Sequence, residues 1–448
     1  MASESVVFVE ADGKVNNISR IFNSLGLDAE VIATQGRLLD LPLSLNGKTL
    51  LEHNIDWEPV NPFKYNRVIN KLSEFKKGII LTDMDREGEW CAYELEKLSK
   101  IHKCALKRIN SSDLSKAGLI SALSKPVPVN LELAAEAIAH RIVSRLTSPA
   151  NNERTSIGKV VSPFLSVVNN LPCKISAIAI ENISAIPQIV IIENLENPST
   201  VNISSIDRLV EIEEEAGVTI DDVYISQATK EKVSMKEVYD TLQKAYMEGV
   251  ITYPRTSNCY KNNSTYPHEP LSMSERGYDR YYCDAIILDL SRLINAKALH
   301  PNNTQVDCTI SDGRNKHKLC IKANAKLMNK DIRCRLINLN KEAYCFLTLC
   351  NNNLATPGSY HHHFTRFPQL LTKDFNLNRK GLIALQKATY LNPNLLNISF
   401  VQSMDEAISK KYSDKLHENI VFKIEAALKN VNSKSKITLE RTIKGLAE

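Results

Sequence analysis

Apolar residues along this chain gather first into short β-branched runs and then into helical spacings. SVVFVE at 5–10 is an apolar run closed by an acid and predicts a short buried strand. KGIILTD at 77–83 predicts a second strand, followed by a helix over EWCAYELEKLSK, and the segment 101–110 again precedes a helical stretch. This alternation predicts a compact α/β domain with a parallel sheet over roughly the first 125 residues. LELAAEAIAHRIVSRLT at 131–147 is built from strong helix formers and brings His140, Arg141 and Arg145 close together on one helix. Residues 173–225 and 305–350 alternate in Val and Ile and predict β-structure, with a helical stretch at 234–250 between them that runs into ITYPRTSN. EIEEEAG at 211–217 reads as a solvated acidic turn or helix end, and the tail from 364 to 448 returns to helices, including HENIVFKIEAALKNV. No internal repeat or long low-complexity linker is visible.

A length of 448 residues exceeds one ordinary core, so several domains are expected. Apolar content of 43% with 24% charged residues fits a globular chain, and a net charge of +5 permits nucleic acid as a partner without demanding it. No apolar run reaches membrane-spanning length and no signal peptide opens the sequence, so no membrane partner is expected. The ten cysteines are scattered singly with no CxxC pair, which argues against zinc ribbons and a disulfide framework and for a reducing compartment, cytoplasmic or at the nucleoid.

The densest chemistry is DMDREGE, directly after the second apolar run, where Asp83, Asp85, Glu87 and Glu89 crowd together. Alternation at a strand end sends Asp83 and Asp85 to one side, with Glu87 following at the same spacing. Carboxylates that repel one another are stable together around a hard divalent cation, and Mg²⁺ takes a few carboxylates plus waters and phosphate oxygens. The plainer alternative is an acidic helix N-terminus favoured by the helix dipole. NGKT at 46–49 imitates a phosphate loop but has Pro42 where the upstream glycine belongs, which excludes an ATPase of that type. YHHHF at 360–364 reads as a solvated loop, since three adjacent histidines cannot converge on one metal from a regular element.

DMDREGE resembles the toprim signature of type IA DNA topoisomerases, and VVFVEADGKVNNI resembles their first strand, with Glu10 and Lys14 at its functional positions. ATQGRLLDLP is similar to the next block, with Arg37 where a histidine is common, and LKRINSSDLS keeps Arg108 of the one after it. AHRIVSRL keeps Arg141 and Arg145, and TSIGKVVSPFL resembles the SAGRVQS block with Lys159 and Val161 in place of Arg and Gln. YMEGVITYPRTSN resembles the setting of the family's nucleophile and points to Tyr253 with Arg255. The matches run in order from residue 5 to 302, and the tyrosine follows the toprim segment, unlike the order in Spo11-like proteins.

The resemblance implies a type IA toroid of mixed α/β, β and helical domains, with a toprim domain at 1–124. Further domains follow: a first helical DNA-binding part at 125–172, a β-rich arch at 173–230 and 306–360, the tyrosine-bearing domain at 231–305, and a second helical part at 361–448. It implies ATP-independent breakage, passage and rejoining of single DNA strands through a 5′-phosphotyrosine on Tyr253, relaxing negative supercoils or decatenating. Arg255 and Lys14 would neutralise charge at phosphorus, Glu10 would handle the proton of the 3′ oxygen, and Asp83, Asp85 and Glu87 would hold Mg²⁺. Arg86, Arg108, Arg141, Arg145, Lys159 and His300 would contact DNA. The expected partner is single-stranded or underwound DNA, with a helicase as an accessory, and the expected state is a monomer without the family's zinc-bearing module. Ala296 stands where the family has a histidine, Ser144 and Ser257 where acids are common, and Ser111 where an aromatic is usual, which marks a divergent member. Two other readings compete: a weakened homologue that binds single-stranded DNA, and a toprim nuclease or primase.

Overall fold

The computed structural model describes residues 4–42, 57–147, 158–172, 175–192, 201–230, 234–260, 268–274, 284–312, 315–328, 332–352, 354 and 367–429. NGKT at 46–49, YHHHF at 360–364 and the start of TSIGKVVSPFL lie outside them. The chain divides into two compact units, one of residues 1–166 with 379–448 and one of 167–378.

The first unit begins with strand β1 (Ser5–Val9), helix α1 (Asp12–Ser24) and strand β2 (Ala29–Ala33), followed by the short antiparallel pair β3 (Leu39–Asp40) and β4 (Glu58–Pro59). Helix α2 (Pro62–Glu74), strand β5 (Lys77–Leu81), helix α3 (Arg86–His102), strand β6 (Ala105–Arg108) and helix α4 (Lys116–Ser124) follow. The four main strands form a parallel sheet in the order β2-β1-β5-β6, with Val7 of β1 opposite Val31 and Ile79. A central strand covered by helices on both faces must be apolar on both, which is why Val6, Val7, Phe8 and Val9 are all fully buried. Val68 and Leu72 of α2 and Leu95 of α3 close the core over Val6, Phe8 and Ile80. Gly78 is required in β5, because a Cβ there would overlap the Val6 carbonyl oxygen on β1.

The same unit continues through helix α5 (Leu131–Thr147) and helix α6 (Val161–Asn169), which crosses the unit boundary. Alanines at 134, 135, 137 and 139 make α5 a slim helix, and it is buried against α3 and the late helices. After the second unit the chain returns as α11 (Arg379–Leu391), α12 (Ile398–Ser409) and α13 (Leu416–Leu428). Lys423 of α13 is fully buried, and its ammonium donates to Glu132 Oε1 at 2.6 Å and to the Ile408 and Lys410 carbonyls at 2.7 Å. That satisfied buried charge ties the tail to α5.

The second unit holds strands β7 (Ser176–Glu181), β8 (Gln188–Ile192) and β9 (Asn202–Glu215), then helices α7 (Ile220–Lys230), α8 (Met235–Met247) and α9 (Ala285–Leu299). Strands β10 (Asn302–Ser311), β11 (Lys316–Ala323) and β12 (Arg333–Ile337) and helix α10 (Lys341–Asn351) follow. Two antiparallel sheets, β12-β7-β8 and β11-β10-β9, share one core of Ile178, Ile180, Val306, Cys308, Ile310 and Ile321.

Three local expectations are corrected here. The acidic stretch 211–215 is the end of β9, paired with β10 at Asn302↔Glu215, and not a turn or helix end. Its carboxylates point outward along the strand except Glu215, which is buried and pairs with Lys322. The β-structure expected over 173–225 and 305–350 gives way to helices at 220–225 and 341–350: Asn340 caps α10 by accepting from Ala343 N at 2.7 Å, and Tyr224 of α7 is buried against Phe346 of α10. Caps and packing partners outweighed the apolar character of both stretches.

Candidate active site

In the first unit, the C-terminal ends of β1 and β5 lie side by side, the position where open parallel sheets present functional groups. β1 delivers Glu10, and the first turn of α1 delivers Lys14. β5 runs into Thr82 and Asp83, and Asp85 caps α3 by accepting from Gly88 N at 2.9 Å. Glu10 Oε2 accepts from Asp83 N at 3.3 Å, and the Lys14 ammonium is ion-paired with Asp83 Oδ1, both side chains being buried. A Cβ on Gly88 would overlap the Asp83 carbonyl oxygen, so only glycine lets the acidic loop fold back on the helix start.

The four crowded acids take four different partners. Asp83 pairs with Lys14 and Asp85 caps the helix. Glu87 lies already inside α3, where strand alternation no longer applies, and accepts from Arg37 Nη1 at 3.1 Å. Glu89 is 1% exposed and accepts from Arg108 Nη2 at 2.8 Å through Oε1 and from Asn130 N at 2.9 Å through Oε2. A hard oxygen donor set at 83 and 85 fits Mg²⁺, which commonly takes one or two carboxylates and completes its shell with water and phosphate oxygens. Among the described residues no three His, Cys, Asp or Glu side chains are gathered into a ready-made metal cage.

The arginines expected on DNA divide in the same way. Arg108 is buried, and its guanidinium donates to the Thr82, Asp83 and Ile109 carbonyls as well as to Glu89. It braces the acidic loop from inside the protein and has no face for a phosphate. Arg141 is committed to Asp40 through two bonds of 2.6 Å, and Arg37 adds a third at 3.0 Å while stacking over Trp90. Arg145 donates to the Pro42 carbonyl at 2.9 Å. Lys159 is buried, paired with Asp405 and in contact with His140. His140, unassigned in the sequence reading, lies between Lys159 and Arg86, and burial together with those two cations holds its pKa well below the ordinary histidine value. Arg86 faces Nε2 and the Lys159 ammonium faces Nδ1, and both can only donate, so the surroundings disfavour a proton on either ring nitrogen.

In the second unit, α8 starts at the Ser234 cap and stops at Gly249, whose φ of +73° suits glycine. The chain then turns into ITYPRTSN, fixed by a bridge from Ile251 to Met273 and a bond from Thr252 N to the Ser272 carbonyl at 3.0 Å. Tyr253 is 1% exposed. Its ring meets Tyr246 edge-on at 5.2 Å, stacks on His268 at 4.4 Å with 27° between planes, and has the Arg255 guanidinium 5.9 Å from its centre. Arg255 Nε donates to Gln243 on α8 at 3.3 Å. His300 ends α9 one turn past Ala296, bonding its N–H to that residue's carbonyl at 2.9 Å. Lys297 beside them is buried and donates to Asp222 at 2.7 Å and to the Gly217 carbonyl at 2.9 Å. Gln243 and His268 carried no motif in the sequence, and Lys297 was given no role there.

Residues 5–114 match the Toprim domain family. Over 99% of the chain the structure superposes on 89% of full-length topoisomerase I from Thermotoga maritima, with a TM-score of 0.56 and 16% sequence identity. Residues 5–114 are a toprim domain, and the chain has the type IA topoisomerase fold. It is also 27% identical over 164 residues to DNA topoisomerase 1 of Fervidobacterium islandicum and 31% identical over 176 residues to that of Thermotoga maritima. Each of these matches covers 36% of this chain, and the first spans 21% and the second 26% of the relative's own length. Within the type IA fold, the toprim match takes in Glu10, Lys14 and the whole acidic loop. No helix among the described residues is long and apolar enough to cross a membrane.

Proposed function

We propose that the chain breaks and rejoins single DNA strands without ATP, through a covalent phosphodiester link to Tyr253. What carries the reading is the Tyr253 ring, fixed within ITYPRT and flanked by Arg255, in a chain that also has a toprim domain. Transesterification stores the phosphodiester energy: the Tyr253 oxygen–phosphorus bond forms as the bond from phosphorus to the 3′ oxygen breaks, and reversal reseals the strand. The tyrosine loses a proton and the departing 3′ oxygen gains one, a task suited to Glu10. Arg255 and Lys14 offset charge that develops on the phosphate, where fixed positive groups count most. Mg²⁺ on Asp83 and Asp85 would supply a hard cation for phosphate oxygens, with Glu87, whose Oε2 accepts from Arg37, as a further ligand. Arg86, Arg145 and His300 hold backbone phosphates, with Arg141 reaching them through Nη1, the nitrogen that does not bond Asp40, contacts that position DNA without reading its sequence. The substrate is single-stranded or underwound DNA, the acting species is a monomer that a helicase can feed, and the outcome is relaxation or decatenation.

A second reading, a homologue that binds single strands without cutting them, draws support from Ala296 in place of the family's histidine and from the internal pairs Lys14–Asp83 and Arg37–Glu87. Negatively supercoiled plasmid, incubated with and without Mg²⁺ and then denatured to trap protein–DNA adducts, separates them. Adducts and a changed linking number are expected. Binding with neither would favour the second reading and overturn the first.

A further inference from the structure

The nucleophile's immediate neighbour on its ring face is His268, a residue the motif ITYPRT does not contain. The segment 268–274 is laced to the tyrosine segment at several points. Asn258 Nδ2 donates to the His268 carbonyl at 2.7 Å, and Asn258 is itself oriented by bonds to Thr256 and Tyr260. Thr252 Oγ1 donates to the Pro270 carbonyl at 3.3 Å and accepts from Ser272 N at 2.8 Å. Ser274 N donates to the Val250 carbonyl at 2.9 Å, and Leu271 N to the Val218 carbonyl at 2.8 Å. The stacked pair is thus held at both backbones, and both rings are buried. Ala296, where the resemblance leads one to expect an imidazole, has none to offer.

Resting on the assignment of Tyr253 as nucleophile, we infer that His268 is its positioning residue. The imidazole covers one face of the phenol while Tyr246 abuts it edge-on, so the ring cannot swing about the Cα–Cβ bond and its oxygen is aimed in one direction. In-line attack on phosphorus tolerates little misalignment, so loss of one wall of this slot should lower the rate of adduct formation far more than DNA affinity. The role lies in the shape and stacking of the ring. A flat apolar ring should therefore replace it.

The test uses the full chain and a labelled single-stranded oligonucleotide, measuring affinity and the rate of covalent adduct formation at saturating DNA. His268→Ala should slow adduct formation roughly ten- to hundredfold with affinity changed by no more than about threefold, and His268→Phe should recover to within about threefold of the unmodified protein. An unaltered rate in His268→Ala, or a His268→Phe protein as slow as His268→Ala, would overturn the inference. Should His268→Ala fail to fold, His268→Phe alone decides: near-normal rate supports the stacking role, and a tenfold or greater loss rejects it. Absence of any adduct in the unmodified protein, or an adduct that survives Tyr253→Phe, would instead overturn the assignment of the nucleophile.

Discussion

Arg108 and Glu89 form an ion pair at 2.8 Å in which neither side chain is more than 3% exposed. The pair joins the end of β6 to the first turn of α3; Arg108 also donates to the Thr82, Asp83 and Ile109 carbonyls, and Glu89 also accepts from Asn130 N. It is the brace beneath the acidic loop. Removing one partner leaves the other charge buried and uncompensated, so Arg108→Ala or Glu89→Ala should each destabilise the first unit by about 3–5 kcal/mol. Replacing both by apolar residues of similar volume should cost less than either single change. Denaturant unfolding of the three variants checks this. A mild Arg108→Ala would reject the brace.

Asp85 has two separable tasks. As the N-cap of α3 it needs a side-chain acceptor, and as a ligand for Mg²⁺ it needs charge. Asp85→Asn should keep stability and lose the Mg²⁺ dependence of plasmid relaxation, whereas Asp85→Ala should lose both, with about 1 kcal/mol of stability gone. Melting curves paired with a Mg²⁺ titration of relaxation distinguish them. If Asp85→Asn relaxes plasmid with normal Mg²⁺ dependence, the ion is held elsewhere.

Tyr253→Phe should abolish the covalent adduct and relaxation while leaving single-strand affinity nearly intact, because the ring still fills the slot between Tyr246 and His268. Persistent relaxation in this variant is the result that would reject the mechanism.

His140 should make the first unit sensitive to acid. Its folded pKa is depressed by burial and by Lys159 and Arg86, so the unfolded chain takes up the proton first as the pH falls. Stability is therefore highest above the ordinary histidine value of about 6.5 and declines as the pH drops from there toward the folded value. In melting temperature measured against pH, His140→Asn should flatten the curve over that window. An unchanged slope would place the acid sensitivity in another group.

The linear sequence was enough to place β1, β5 and β6 of the toprim sheet, the helix over 131–147, and the motifs that hold Glu10, Lys14, the acidic loop and Tyr253, but it did not show β2 at Ala29–Ala33. Those features depend on local periodicity and on short motifs, which a linear chain displays directly. It did not determine how the acids divide. Asp83, Asp85, Glu87 and Glu89 read as one cluster, yet each is claimed by a different partner, with Arg37 50 residues away in the chain and Lys14 69 residues away. The same distance effect hid the fate of Lys159, whose partner Asp405 lies 246 residues further on, and the burial of Arg108. A charged side chain looks alike in sequence whether it faces a phosphate or a buried carboxylate. Only the packed fold, by removing water from one and not the other, decides which it meets. His268 was invisible for the same reason: its place on the Tyr253 ring comes from backbone bonds between 250–258 and 268–274, which no motif encodes.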